Sequence, residues 1–242
     1  MENALYVGLS RQVALSEQMG LVANNIANVN TPGFRADKML FEEYLTKSDV
    51  TGESLSMVLD YGQYKDTSSG DVRQTGNALD VALGGPGFFM VETAAGTQYS
   101  RAGNFALNDN RELVNASGNP VLDNGQGRIT IPENVREIVI SHDGQISTDQ
   151  GVAGQIGMVE FANVNNLQPT AAGFYVPVNN EAALPAENTK AKQNMLEGSN
   201  VQAVLEMTNM IEISRQYQST HRLMQNEHER QNDAIKSLSE MR

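Results

Sequence analysis

The sequence contains no cysteine and no tryptophan. Without thiols, structural disulfides, thiolate metal sites and a cysteine nucleophile are all excluded. Basic residues are scarce as well: 17 Lys and Arg face 29 Asp and Glu, for a net charge of −12. Such a surface repels nucleic acid and anionic lipid, and no Lys/Arg cluster reverses the balance locally. No stretch approaches the ~18 continuous apolar residues of a membrane span, so membrane insertion is not expected. The opening MENALYVGLSRQ lacks a basic region followed by an unbroken apolar run, so a secretory leader is not expected either. An export machine that reads another signal would leave no such mark.

Groups suited to catalysis are thin too. There is no G-x-S-x-G, and Asp80, Glu92 and Asp109 show no spacing of a working carboxylate pair. GGPGFF (84–89) is rich in glycine, but a strand pattern follows it, where a phosphate cradle needs a helix N-terminus. Gly84, Gly85 and Gly87 are expected to make a tight turn instead. His221 and His228 lie seven apart on one helix face, whereas two metal ligands on one helix want a spacing of three or four. Glu227 and Glu229 flank His228 but point elsewhere. His142 precedes the turn signal Asp143-Gly144 and is expected to be exposed. No metal, cofactor or catalytic site is expected.

What the chain does have is a 40% hydrophobic share over 242 residues, enough for a sizeable core in one large or two small domains. Leu15, Met19, Val22, Ile26 and Val29 step by 4, 3, 4 and 3, and Gln12, Gly8 and Leu5 extend the stripe backwards. This is an a/d seam, predicting a helix from about residue 4 to about residue 29. Gly8 and Gly20 each cost about 1 kcal/mol inside a helix, or else allow a neighbour to approach closely. Pro32 ends the helix, with Asn28 or Asn30 suited to a left-handed cap. Asn24, Asn25 and Asn28 place amides beside the stripe. Two readings fit: desolvated amides that set register, or helix-end residues capping free carbonyls.

From about 76 to 185 the period falls to two. LDVAL (79–83), FFMV (88–91), QYS (98–100), NFAL (104–107), ELV (112–114), RITI (128–131), EIVI (137–140) and IGMVEF (156–161) read as strands. Turn signals separate them at Asp109-Asn110, Ser117-Gly118-Asn119, Asn124-Gly125 and Asp143-Gly144. An antiparallel sandwich or irregular barrel is expected. Residues 36–75, rich in Ser, Thr, Gly and Asp, read as a connector with little core. Ser199-Asn200-Val201-Gln202 reads as a capping box. After it no Pro or Gly appears, and a seam runs through Ala203, Met207, Met210, Ser214, Tyr217, His221, Met224, His228, Gln231, Ile235 and Leu238. The predicted helix is about 60 Å long and its seam is polar in the second half, so it needs a partner.

The predicted architecture is α+β. Terminal helices (1–35 plus 198–242) form a coiled-coil-like domain, residues 36–75 a connector, and 76–197 a mainly antiparallel β domain. The helices either pair with each other, leaving apolar residues such as Leu21, Ala23, Ile211, Ile213 and Leu223 for other copies, or fold back onto the β domain.

NNIANVNTPGF (24–34) resembles the N-terminal signature of the bacterial flagellar axial family of rod, hook and hook-associated proteins. SNVQAVLEMTNMIEISRQYQ (199–218) resembles that family's ending. ALDVALGGPGFFMV, YSRAGNFAL, ELVNASGNPVL and SHDGQIST resemble its central domain in the same order. The compact length and opening are most similar to proximal-rod members. The resemblance implies a non-enzymatic, self-associating subunit of the basal-body rod that crosses the periplasm, exported unfolded through the flagellar type III apparatus. It implies other proximal- and distal-rod subunits as partners, in homo- and hetero-oligomers. Subunit contacts are expected at Leu15, Met19, Val22, Asn24, Asn25, Ile26, Asn28, Val29, Asn30, Thr31, Pro32, Gly33 and Phe34. On the C-terminal side they are expected at Ser199, Asn200, Val201, Val204, Met207, Met210, Ile211 and Tyr217. A distal-rod or hook-type subunit is the alternative within the family. Outside it, the alternative is a β-domain binding module or adhesin on a coiled-coil stalk.

Overall fold

The computed structural model describes residues 2–47, 54–170, 173–178 and 181–240. The chain is α+β, with a long helix at each end and mostly antiparallel sheets between them. It divides into two compact units: one of Met1–Ala27, Asp37–Asp66 and Gln202–Arg242, the other of Asn28–Ala36 and Thr67–Val201.

The first unit contains α1 (Glu2–Ala27) and α2 (Ala203–Glu240). Neither helix holds a proline, and both carry apolar residues at three- and four-residue steps, which is why they run unbroken. α1 starts and stops two residues earlier than its pattern predicts. α2 starts at Ala203, so Ser199 is not its cap; the Ser199 hydroxyl instead accepts from the Val201 N–H at 3.2 Å. The two helices pack antiparallel: a Cβ on Gly8 would lie 3.1 Å from Met224 Cγ, and the Gln12 amide meets His221 Nδ1 at 3.4 Å. Gly8 therefore serves close approach, while Gly20 has open space.

The segment expected to be a connector holds a long antiparallel hairpin of β1 (Asp37–Lys47) and β2 (Ser54–Lys65), which packs along α1. The pairing is cross-strand, so it leaves little mark in local composition. Ion pairs close its open end, Lys65–Asp37 at 2.6 Å and Lys38–Asp66 at 2.7 Å. Asp66 holds the Lys38 ammonium pKa above its usual value.

In the second unit, β3 (Val72–Gln74), β4 (Val81–Gly84), β5 (Phe88–Thr93), β6 (Gly96–Ser100), β7 (Ala106–Leu107) and β8 (Leu113–Val114) come first. Then follow β9 (Ile138–Ile140), β10 (Gln145–Thr148), β11 (Gly151–Gln155), β12 (Met158–Glu160), β13 (Leu167–Pro169) and β14 (Tyr175–Pro177). The last are β15 (Leu184–Pro185), β16 (Lys190–Gln193) and β17 (Met195–Glu197). β13-β14-β6-β5-β12-β15 form one antiparallel sheet, β11-β10-β9 another, and β16-β4, β17-β3 and β7-β8 are pairs. Residues 128–131, expected as a strand, make only isolated bridges, from Thr130 to Glu112 and from Arg128 to Leu122. The four expected turns fall at or beside turns.

β5 explains the unbroken apolar run FFMV. Phe89 faces one core with Phe105, Leu113 and Ile146; Phe88 and Met90 face a second with Phe161 and Tyr175. A strand buried on both faces has no polar side to show. Phe88 meets Phe161 and Tyr175 edge to face at 5.9 and 5.4 Å.

Candidate functional site

The helix pair is held by Leu15, Val22 and Ile213, with Met19, Ile26, Met210 and Tyr217 packed against them. The α1 side of the seam matches its sequence pattern. The α2 side is rotated: Ile213 and Thr220 are buried, whereas Met207 is exposed, as are Ile211 and Leu223. The reason is local. Both 207-210-214-217 and 210-213-217-220 satisfy a 4–3 spacing, and packing against α1 selects the second.

That choice leaves two apolar stripes uncovered. On α1 they are Tyr6, Leu9 and Val13, at 63%, 50% and 51% exposure; on α2 they are Val204, Met207 and Ile211, at 79%, 51% and 55%. Each triplet steps by 3 and then 4, so each forms a continuous ridge about 10 Å long. Exposed side chains of this size in register are the mark of an interaction face.

The amides divide in role. Asn25, 1% exposed, makes a reciprocal pair with the backbone of Asp37, donating to its carbonyl at 2.9 Å and accepting its N–H at 3.0 Å. The Asn24 amide is exposed and donates to Asp37 Oδ2 at 3.3 Å. Asn25 thus fixes the start of β1 against the end of α1, as a desolvated amide paired with backbone. Neither Asn28 nor Asn30 adopts the left-handed backbone expected of a cap. Gly33 does, with φ +68°. Asn28 starts a turn, its carbonyl accepting the Thr31 N–H at 3.1 Å.

Residues 28–36 belong to the second unit, where they meet residues 197–201. The Gly33 N–H donates to the Glu197 carbonyl at 2.9 Å, and Asn200 N–H to the Phe34 carbonyl at 3.3 Å. The Asn200 side chain accepts from Ala36 N–H at 2.7 Å and donates to the Ser68 carbonyl at 3.0 Å. A Cβ on Gly33 would sit 2.5 Å from the Arg101 carbonyl carbon, so only glycine fits. Beneath this turn the Glu197 carboxylate bridges two guanidiniums, Arg35 at 2.8 Å and Arg101 at 2.6 Å. Arg101 also donates to the carbonyls of Gly85 and Gly87, so the GGPG turn grips a side chain and not a phosphate. Burial pushes the Arg101 pKa down, with Glu197 opposing the shift.

Among the predicted contact residues, Leu15, Met19, Val22, Ile26, Met210 and Tyr217 meet in the helix pair. Val204, Met207 and Ile211 are its open side. Val29, Asn30, Pro32, Ser199 and Val201 line a shallow cavity of about 280 Å³ beside Glu197. Sequence reasoning missed Arg35, Arg101 and Glu197. YSRAG and LEGSN gave the only signal, a charged residue one or two positions before glycine in an otherwise uncharged run.

Ser141-His142-Asp143 is not a catalytic arrangement. The Ser141 hydroxyl donates to Asp143, lowering that carboxyl's pKa, while His142 Nδ1 faces the Ala191 carbonyl at 3.0 Å. Among the described residues no group of three His, Cys, Asp or Glu could hold a metal ion. No described helix is long and apolar enough to cross a membrane.

Three family models match this chain: Flagella basal body rod protein over residues 5–35, Flagellar hook protein FlgE/F/G D1 domain over 82–148, and Flagellar basal body rod FlgEFG protein C-terminal over 192–237. The flagellar basal-body rod protein FlgF of Caulobacter vibrioides is 37% identical, covering 100% of both chains. The FlgF of Mesorhizobium japonicum is 34% identical over 98% of both. The flagellar basal-body rod protein FlgG of Caulobacter vibrioides is 29% identical over 91% of this chain and 94% of its own.

Proposed function

The chain belongs to the family of flagellar basal-body rod proteins, and we propose that it enters the rod by burying, against neighbouring subunits, the apolar stripes its own fold leaves open. It is a structural subunit of the flagellar basal-body rod and not an enzyme, and it assembles with other flagellar subunits. Identity to one organism's FlgF exceeds identity to the same organism's FlgG, 37% against 29%, which supports a proximal-rod position.

In this reading α1 and α2 form a coiled-coil-like axial domain, and the second unit is an irregular β barrel. Homo- and hetero-oligomeric contacts use Val204, Met207 and Ile211 together with Tyr6, Leu9 and Val13. Leu15, Met19, Val22, Ile26, Met210 and Tyr217 hold the pair, and Asn24, Asn25 and the segment from Asn28 to Phe34 with Ser199–Val201 set its chain ends. The contact is heterologous in this reading: α1 of one copy meets α2 of the next, and repetition builds an open helical rod. Export unfolded through the type III apparatus supplies the periplasm-spanning rod.

The carrying observation is the exposed α2 ridge. An aspartate at Ile211 or Val13 leaves the isolated chain folded, because both side chains are solvated there. In a rod it would bury an unpaired charge. Purified I211D and V13D are expected to keep the wild-type melting temperature within a few degrees, while strains carrying either as their only copy neither swim nor assemble basal bodies past this subunit. Normal swimming by both would reject the proposal.

A further inference from the structure

Glu197 is 2% exposed, and its carboxylate serves three other stretches of the chain. It pairs with Arg35, pairs with Arg101, and accepts the Gly70 N–H at 3.2 Å. Arg35 and Arg101 are 7% and 1% exposed, so the carboxylate is what allows two like charges to share a dry site. Arg35 also donates to the Thr67 carbonyl at 3.1 Å. The bonds to Glu197 span 96 and 127 positions of chain, and the neighbouring Asn200–Ala36 bond spans 164. Much of the hydrophobic core of the same unit lies within one stretch of chain, with Phe89, Leu113, Val121 and Ile146, and Ala191 of β16 joins it from farther along.

Long closures lose the most chain entropy, and they are compensated last, once local contacts exist. Here compensation also requires neutralising the two guanidiniums together. We infer that Glu197 is a positioning residue that closes the second unit late, and that its carboxylate decides whether residues 28–36, which follow α1, dock onto residues 197–201, which precede α2. The core folds without it; the docking of the TPGF turn does not. This goes beyond the rod reading and is measured on the isolated chain, so it stands or falls separately.

The test is Glu197→Gln in the full chain, followed by hydrogen exchange and by folding kinetics. Residues 28–36 and 67–70 are expected to exchange at least tenfold faster, while β5, β8 and the segment around Val121 keep their protection. The unfolding rate is expected to rise at least tenfold and the refolding rate to stay within twofold, as for contacts absent from the folding transition state. Arg35→Gln, which leaves Glu197 paired with Arg101, is expected to loosen 28–36 in the same way, and Arg35→Lys to restore much of its protection. A uniform loss of protection, a matching drop in refolding rate, or unchanged exchange at 28–36 would overturn the inference. Failure of both Gln variants to fold would overturn it as well, since the core would then depend on the cluster.

Discussion

At the scale of single residues, polar groups placed beside apolar ones carry the specificity. Asn25 sits on α1 beside the seam, yet it is almost fully buried with both amide groups matched to Asp37. Asn25→Leu is expected to cost about 2 kcal/mol, because it strands a backbone donor and acceptor, each worth roughly 1 to 3 kcal/mol when buried unpaired. Urea denaturation followed by the helix signal measures it; a loss below about 0.5 kcal/mol would show that solvent replaces the amide. The sequence offered a register-setting amide as one reading, but not its partner. An Asn near a helix end has many partners available, and which backbone it finds depends on where β1 begins. The same holds for Arg101 and Glu197: the pattern shows two charges, and only the fold shows that they touch.

At the scale of elements, periodicity located both helices to within a few residues but left the rotation of α2 undecided. Ile213 and Ile211 look alike in sequence, since each belongs to a 4–3 series. The structure separates them: one is 5% exposed, the other 55%. Ile213→Ala is expected to destabilise the helix pair by about 2 to 5 kcal/mol. Ile211→Ala is expected to change it by less than about 0.5 kcal/mol. Thermal melts of the two variants measure the contrast, and equal losses would mean the seam is not the one seen. The hairpin of β1 and β2 escaped the sequence reading for a different reason. Its evidence is cross-strand, eleven residues of one half against the other, and a window moving along the chain does not see it.

At the scale of the whole molecule, the two units differ in what supports them. The described core of the helix pair rests on three buried side chains, whereas the β unit has two clusters, each larger. Helices gain most of their stability from packing, so in the proposed assembly the first unit is the one that neighbours complete. Limited proteolysis of the dilute chain is expected to cut within α1 and α2 first and to leave a fragment covering residues 67–201. Ends as resistant as that fragment would contradict a subunit completed by its neighbours. The sequence alone determined the α+β class, the two terminal helices, the order of the central strands and turns, and the family, because each is written in local spacing or in ordered motifs. Only the tertiary structure decided which face of α2 is buried, that β1 pairs with β2, and that Glu197 joins Arg35 to Arg101. Those are choices among equally patterned alternatives, and they are settled by contacts between residues far apart in the chain.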